Sequence, residues 1–240
     1  MHRYSQPFPV LPGKSEADIM SIADYFNAHP DEYRESRRAA GVTLERAYLQ
    51  KTPMGSFVVA YSESERDLGT TLAALADPST PLQRRFAELV QEIHGIDITQ
   101  PPPGPPAETI GNWRDDQVTA IRNGFAFCAP TLPGMADAGR AFTHEAFVTR
   151  RAELEASRRG FNQNAEVVTL LSTPMGDVVA VYLEGEDPAE GNRKFATSDA
   201  PFDRWFRGEL RTIFPPEIDF DQPVPGVEEF FDSEKLHLRS

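Results

Sequence analysis

The tetrapeptide Thr52-Pro53-Met54-Gly55 returns 121 places later as Thr173-Pro174-Met175-Gly176. That recurrence limits what the chain can fold into more than any other feature. A Pro at the second turn position fixes φ at about −65°, and a Gly at the fourth tolerates the positive φ that closes a hairpin. Each copy therefore reads as a type I turn with a Gly bulge between antiparallel strands, 44–51 with 56–63 and 165–172 with 177–184.

The echo continues in order along the chain. Leu11-Pro12-Gly13 matches Leu132-Pro133-Gly134, Ser36-Arg37-Arg38 matches Ser157-Arg158-Arg159, Tyr61 matches Tyr182 and Glu63 matches Glu184. One place out of step, Pro81, Arg84 and Phe86 match Pro201, Arg204 and Phe206. Ile96-Asp97 with Gln100-Pro101 then matches Ile218-Asp219 with Gln222-Pro223. An ordered ladder of this kind reads as a gene duplication, a tandem repeat of one unit. The division predicted is unit 1 over 1–100, a Pro-rich linker arm over 101–122 anchored by Trp113, unit 2 over 123–222, and a C-terminal arm and tail over 223–240.

Within each unit the pattern is β, α, β, β, α, β. A short Pro-containing strand ends at Leu-Pro-Gly. In unit 1, Ser15 with Asp18 starts a helix carrying Ile19, Ile22, Ala23 and Phe26 at helical spacing. His29-Pro30 breaks that helix, and a second segment runs on to Ala39. Unit 2 lacks the Pro, so one long helix is expected over 137–159. After the hairpin comes the helix bearing Phe86, Val90 and Ile93, matched by Phe202, Phe206, Leu210 and Ile213. A closing strand is expected at 96–99 and again at 218–221.

The split βαββαβ order is that of a ferredoxin-like fold, with both helices on one side of a four-stranded antiparallel sheet. The third strand is nevertheless apolar on both sides. Val58 and Ala60 alternate with Phe57, Val59 and Tyr61, and Val179, Val181 and Leu183 with Val178, Ala180 and Tyr182. A doubly apolar strand needs a cover on each face, and the second cover is the other unit's sheet. The fold class predicted is α+β: two tandem ferredoxin-like units packed sheet to sheet as an intrachain pseudo-dimeric α+β barrel.

This arrangement resembles the dimeric α+β barrel superfamily, which includes antibiotic-biosynthesis-type monooxygenases, EthD-like proteins and the haem enzymes of the chlorite dismutase group. The Leu-Pro-Gly, Thr-Pro-Met-Gly and Ile-Asp-x-x-Gln-Pro pieces also look like an uncharacterised single-unit bacterial family. The superfamily resemblance implies a small-molecule site between helices and sheet.

Positions where the halves differ are where to look for it. Ile19, Ala23 and Phe26 align with Arg140, His144 and Phe147, so a cleft of Arg140, His144 and Trp205 is one candidate. In the other reading the helix is rotated, Ala138, Phe142 and Ala146 face inward, and the polar pair lies in water. The second candidate is a polar network on the second strand, where Arg46, Tyr48 and Gln50 replace Val167, Thr169 and Leu171 and join Tyr61, Glu63, Tyr182 and Glu184. Such a network orients a ligand or ionises a phenol, or its members simply satisfy one another. His94, before Gly95, suits a helix C-terminus as a cation. The Ser-Arg-Arg pairs fit the same explanation or receive an anion.

Net charge is −13 with no basic cluster, which argues against nucleic acid or an anionic membrane. No run of 18 apolar residues spans a bilayer, and residues 1–8 lack a signal-like stretch. The lone Cys128 forbids an internal disulfide. A soluble, cytoplasmic monomer is predicted. HExxH, paired CxxC, EF-hand, GxGxxG, P-loop and GxSxG patterns are missing from the sequence, so no metal or nucleotide cofactor is expected. The function expected is a small-molecule-binding module for an apolar or aromatic ligand. The alternative is a cofactor-independent monooxygenase acting on an aromatic or polyketide-like substrate, in which a His or Tyr removes a proton. A haem version would need an axial ligand, for which His144 is the candidate.

Overall fold

A computed structural model describes the chain except for residues 101–103, 121–122, Pro174 and 238–240. The start of the expected linker, one Pro of the repeated tetrapeptide and the end of the tail lie outside the described residues. The first half contains β1 (His2–Pro9), α1 (Glu16–Ala28), α2 (Pro30–Ala40), β2 (Val42–Thr52), β3 (Gly55–Ser64), α3 (Leu68–Ala76), α4 (Pro81–His94) and β4 (Glu108–Arg114). The second contains β5 (Asn123–Pro130), α5 (Ala136–His144), a π turn (Glu145–Thr149), α6 (Arg151–Gly160), β6 (Gln163–Thr173), β7 (Gly176–Gly185), α7 (Pro188–Thr197), α8 (Pro201–Ile213) and β8 (Val227–Asp232).

Local chemistry sets these limits. In both hairpins the Thr hydroxyl donates to the Gly carbonyl at 2.8 Å and accepts the Met N–H at 3.2 Å. Gly55 and Gly176 close the turns at φ 128° and 125°. Ser15 and Asp18 form a reciprocal capping box at the start of α1, and α2 begins at Pro30. The long helix expected over 137–159 is instead two helices joined by the π turn, which shifts the exposed face partway along. At matched places Leu11 N–H bonds the Ile93 carbonyl at 2.9 Å and Leu132 N–H bonds the Ile213 carbonyl at 2.8 Å.

The closing strands are where the sequence expectation fails. Residues 96–99 and 218–221 belong to no strand and end in turns. Asp97 accepts the Thr99 N–H at 3.0 Å, and Asp219 accepts the Asp221 N–H at 2.9 Å, so the repeated Ile-Asp motif builds an Asx turn. The fourth strands lie in the two segments expected to be arms, and they are exchanged. The sheets run β1-β3-β2-β8 and β4-β6-β7-β5. The first half donates β4 to the edge of the second half's sheet, and the second half returns β8 to the edge of the first.

The sheets pack face to face as the doubly apolar third strands require. Leu44, Tyr48, Val59, Tyr61, Ala126, Cys128, Val167, Ala180 and Tyr182 form the core between them. Helices cover the outer faces. Ile19, Leu49, Val58, Leu89 and Ile93 cluster in the first half, while Trp113, Phe147, Leu154, Val168 and Phe206 do so in the second. Trp113 is thus a core residue of β4, 1% exposed. Among the described residues no helix is long and apolar enough to cross a membrane.

Candidate functional site

At one end of the inter-sheet core the polar residues of the second strand meet those of the third. Tyr61 and Tyr182, equivalent positions in the two halves, stack with ring centroids 3.4 Å apart and planes 3° from parallel. Each phenol bonds the carboxylate two residues on, Tyr61 to Glu63 at 2.8 Å and Tyr182 to Glu184 at 3.1 Å. Arg46 donates to the Tyr182 oxygen at 2.6 Å and to Asp232 of β8 at 3.1 Å. Arg114 of β4 bridges Glu63 at 2.8 Å and Glu184 at 3.2 Å, and Arg3 reaches Glu63 at 3.3 Å. Both exchanged strands therefore end in this cluster. Gln50 accepts the Cys128 N–H across the interface at 2.7 Å, and the Tyr48 hydroxyl lies 3.5 Å from Glu229.

The electrostatics are those of a largely self-paired set, in which Arg114 Nε is buried without a partner. Burial raises the phenols of Tyr61, Tyr182 and Tyr48 well above the ordinary tyrosine value, so they are held protonated and do not act as bases near neutrality. Burial opposes the charge of Arg46, but the oxygens of Tyr182 and Tyr48 and the carboxylates of Asp232 and Glu184 outweigh it and raise its pKa. Gly124 admits the phenols, because a Cβ there would lie 2.1 Å from the Tyr48 oxygen. The Cys128 thiol is pushed up to about 12 by burial.

The other candidate does not assemble. Arg140 pairs with Glu108 at 2.9 Å and Asp137 at 2.8 Å. His144 is exposed. Trp205 lies beneath Arg150, whose guanidinium is 4.0 Å from the ring. Among the described residues no hydrogen bond, ion pair or ring contact joins the three. The helix is rotated as the second reading had it, with Ala146 buried and Ala138 and Phe142 packed on the core.

The other cations are also structural. Arg37 and Arg158, from the Ser-Arg-Arg pairs, are buried against Glu45 at 2.8 Å and Glu166 at 2.5 Å, and each stacks on aromatic rings. His94 is no dipole-stabilised cation. It is buried, its pKa is lowered by that burial, and Nδ1 bonds the Pro9 carbonyl at 2.9 Å.

A second polar site shares only Arg159, of the second Ser-Arg-Arg, with the residues expected from sequence. Asp115 and Val118 after β4, Arg159 near the end of α6, Asn162, Gln163 and Asn164 at the α6–β6 joint, and Glu186 after β7 line a crevice of about 220 Å³. Asn162 holds the left-handed conformation, φ 58°, that Gly41 holds in the first half at φ 80°. Asn tolerates that region better than most residues. The pairing register with β7 shifts between Gln163 and Ala165, so Asn164 occupies a β-bulge, a device that re-aims side chains.

Gln163 and Asn164 are each 4% exposed. Asn164 Nδ2 donates to Glu184 at 2.8 Å, while its Oδ1 is buried without a partner. The Gln163 side-chain amide makes no hydrogen bond among the described residues. Arg159 holds Asp115 at 2.6 Å, which lowers the Asp115 carboxyl below its ordinary value. The 121-residue offset already contained the signal: Asn162-Gln163-Asn164 stands where the first half has Gly41-Val42-Thr43.

No family model and no curated protein matches this chain. Two solved structures do, each a provisionally named monooxygenase. That from Fusobacterium nucleatum is 9% identical, with 95% of this chain and 88% of the other covered and a TM-score of 0.49. That from Lactobacillus acidophilus is 11% identical, with 95% and 92% covered and a TM-score of 0.48. At that distance their names stay with those proteins.

Proposed function

We propose that this chain is a small-molecule-binding α+β barrel whose site is the crevice at the α6–β6 joint of the second half. The observation that carries this reading is the buried Asn164 amide on its wall, whose Oδ1 has no protein partner. Leaving such a group unsatisfied costs about 1–3 kcal/mol, and a ligand that bonds it recovers that cost. The inter-sheet cluster is instead the clamp that joins the halves. A monooxygenase that draws a proton with His or Tyr has less support, since the buried phenols are held protonated and His144 stands exposed on α5.

Thermal melting against a library of small polar metabolites tests the reading. At least one compound is expected to stabilise the protein, by about 2.7 kcal/mol when present at a hundred times its Kd. Gln163→Leu, which keeps the wall but removes the amide, is expected to lose that response. A library that leaves the native melting curve unmoved, or stabilises Gln163→Leu equally, removes the crevice as the site.

A further inference from the structure

Resting on the crevice as the binding site, we infer that its ligand is a small organic cation, an amine or amidine on a short alkyl stem, and that anions are rejected. Three observations converge on this class.

The first is the hydrogen-bonding deficit. The Asn164 amide nitrogen is committed to Glu184, so its orphaned atom is an acceptor that lacks a donor. Gln163 adds an amide whose oxygen and nitrogen both make no hydrogen bond among the described residues. A ligand carrying several N–H groups supplies the donor that the Asn164 oxygen lacks.

The second is charge. Asp115 and Glu186 face a single cation, Arg159, which is itself divided between Asp115 at 2.6 Å and Glu155 at 3.3 Å. Glu186 keeps one bond, from Asn162 Nδ2 at 3.3 Å. Glu184 lies directly behind Asn164. An incoming anion would meet these carboxylates with the only lining guanidinium already engaged.

The third is the other half of the molecule, where the chain supplies its own occupant. At the equivalent joint the stem of Arg66 lies over Gly41, with Cγ 3.0 Å and Cδ 3.2 Å from where a Cβ would stand. The second half has no counterpart of Arg66: the Glu186 N–H bonds the Asn162 carbonyl as the Glu65 N–H bonds that of Gly41, and the next residue, Asp187, already caps α7 through the Glu190 N–H at 2.9 Å as Asp67 caps α3 through the Thr70 N–H at 2.9 Å. The cationic stem that covers the joint in one half thus has no equivalent in the other, where the shorter Asn162 side chain reaches Glu186 instead. The crevice volume of about 220 Å³ leaves room for a molecule the size of an arginine side chain.

The experiment follows the side-chain amide signals of Asn162, Gln163 and Asn164 by NMR in the full chain. The probes are n-propylguanidinium, butyramide and butyrate. Propylguanidinium is expected to shift these signals saturably, with affinity about tenfold weaker in Asn164→Leu. Because Asn164 also anchors Glu184, the rim variant Glu186→Gln serves as a second test that leaves the interior intact; there the affinity for propylguanidinium should fall while that for butyramide stays constant. Stronger binding of butyrate or butyramide at the same signals overturns the cation assignment and keeps the crevice as a small-molecule site. So does silence from all three probes if a library compound moves these signals. Silence from the probes and the library alike overturns both.

Discussion

Thr43 and Asn164 occupy the same bulge in the two sheets, yet Thr43 is exposed and Asn164 is buried on the wall of the crevice. Differences between equivalent positions are thus unequal in depth: His144 on α5 is exposed on a rotated helix, whereas Gln163 and Asn164 at the α6–β6 joint are buried. What the sequence could not supply was depth, since an amide looks the same in a string of letters whether it is hydrated or orphaned. Depth also governs the tyrosines. Burial is the leading cause of raised pKa at Tyr4, Tyr33, Tyr48, Tyr61 and Tyr182. The folded state thus keeps protons that the unfolded phenols release near pH 10. Their stabilising contribution is complete below pH 10 and is lost as pH rises above it, by up to about 1.4 kcal/mol per phenol for each pH unit. In an alkaline titration the phenolate absorbance of these residues should rise only with the loss of circular dichroism. Reversible ionisation of all of them near pH 10 in the folded chain would contradict this.

At the scale of elements, the repeated letters were reliable for hairpins and caps, whose chemistry is local, and misleading for the fourth strands. Ile96-Asp97 and Ile218-Asp219 recur because each copy needs an Asx turn there. Thr109 to Arg114 and Val227 to Asp232 share no repeated motif, so internal comparison passed over the segments that complete each sheet. Position in space, not resemblance, makes them equivalent. β8 covers the β2 edge, carries Asp232 to Arg46 and contributes Phe231 to the cluster of Phe26, Tyr33 and Leu82. Truncation before Val227 therefore exposes an unpaired strand edge and strands a buried guanidinium. The shortened chain is expected to lose its cooperative thermal transition and to aggregate. If it melted cooperatively within a few degrees of the full-length protein, β8 would be an accessory to the sheet and not its fourth member.

For the whole molecule, exchanged strands mean that neither half is complete alone, and the buried charges specify which partner completes it. The segment 1–122 brings Arg3, Arg46 and Arg114 to the interface against the single carboxylate Glu63. The segment 123–240 brings Glu184 and Asp232 and, with Val167 in place of Arg46, no arginine. Together the arginines and carboxylates balance in number. Two copies of the first segment would gather six arginines, two of them buried copies of Arg46, around two glutamates, and two copies of the second would gather four carboxylates without an arginine. Removing one partner from a buried ion pair costs about 3–5 kcal/mol, so either homodimer is penalised several times over. Hydrophobic matching alone would not discriminate, because Tyr61 and Tyr182 present the same ring to the interface. Expressed separately, the segments should each be unstable or associated at random, and on mixing they should form a one-to-one complex with the melting behaviour of a single cooperative unit. Sedimentation of each segment and of the mixture decides the matter. Homodimers as stable as the mixed complex would show that the arginine and carboxylate cluster does not select the pairing.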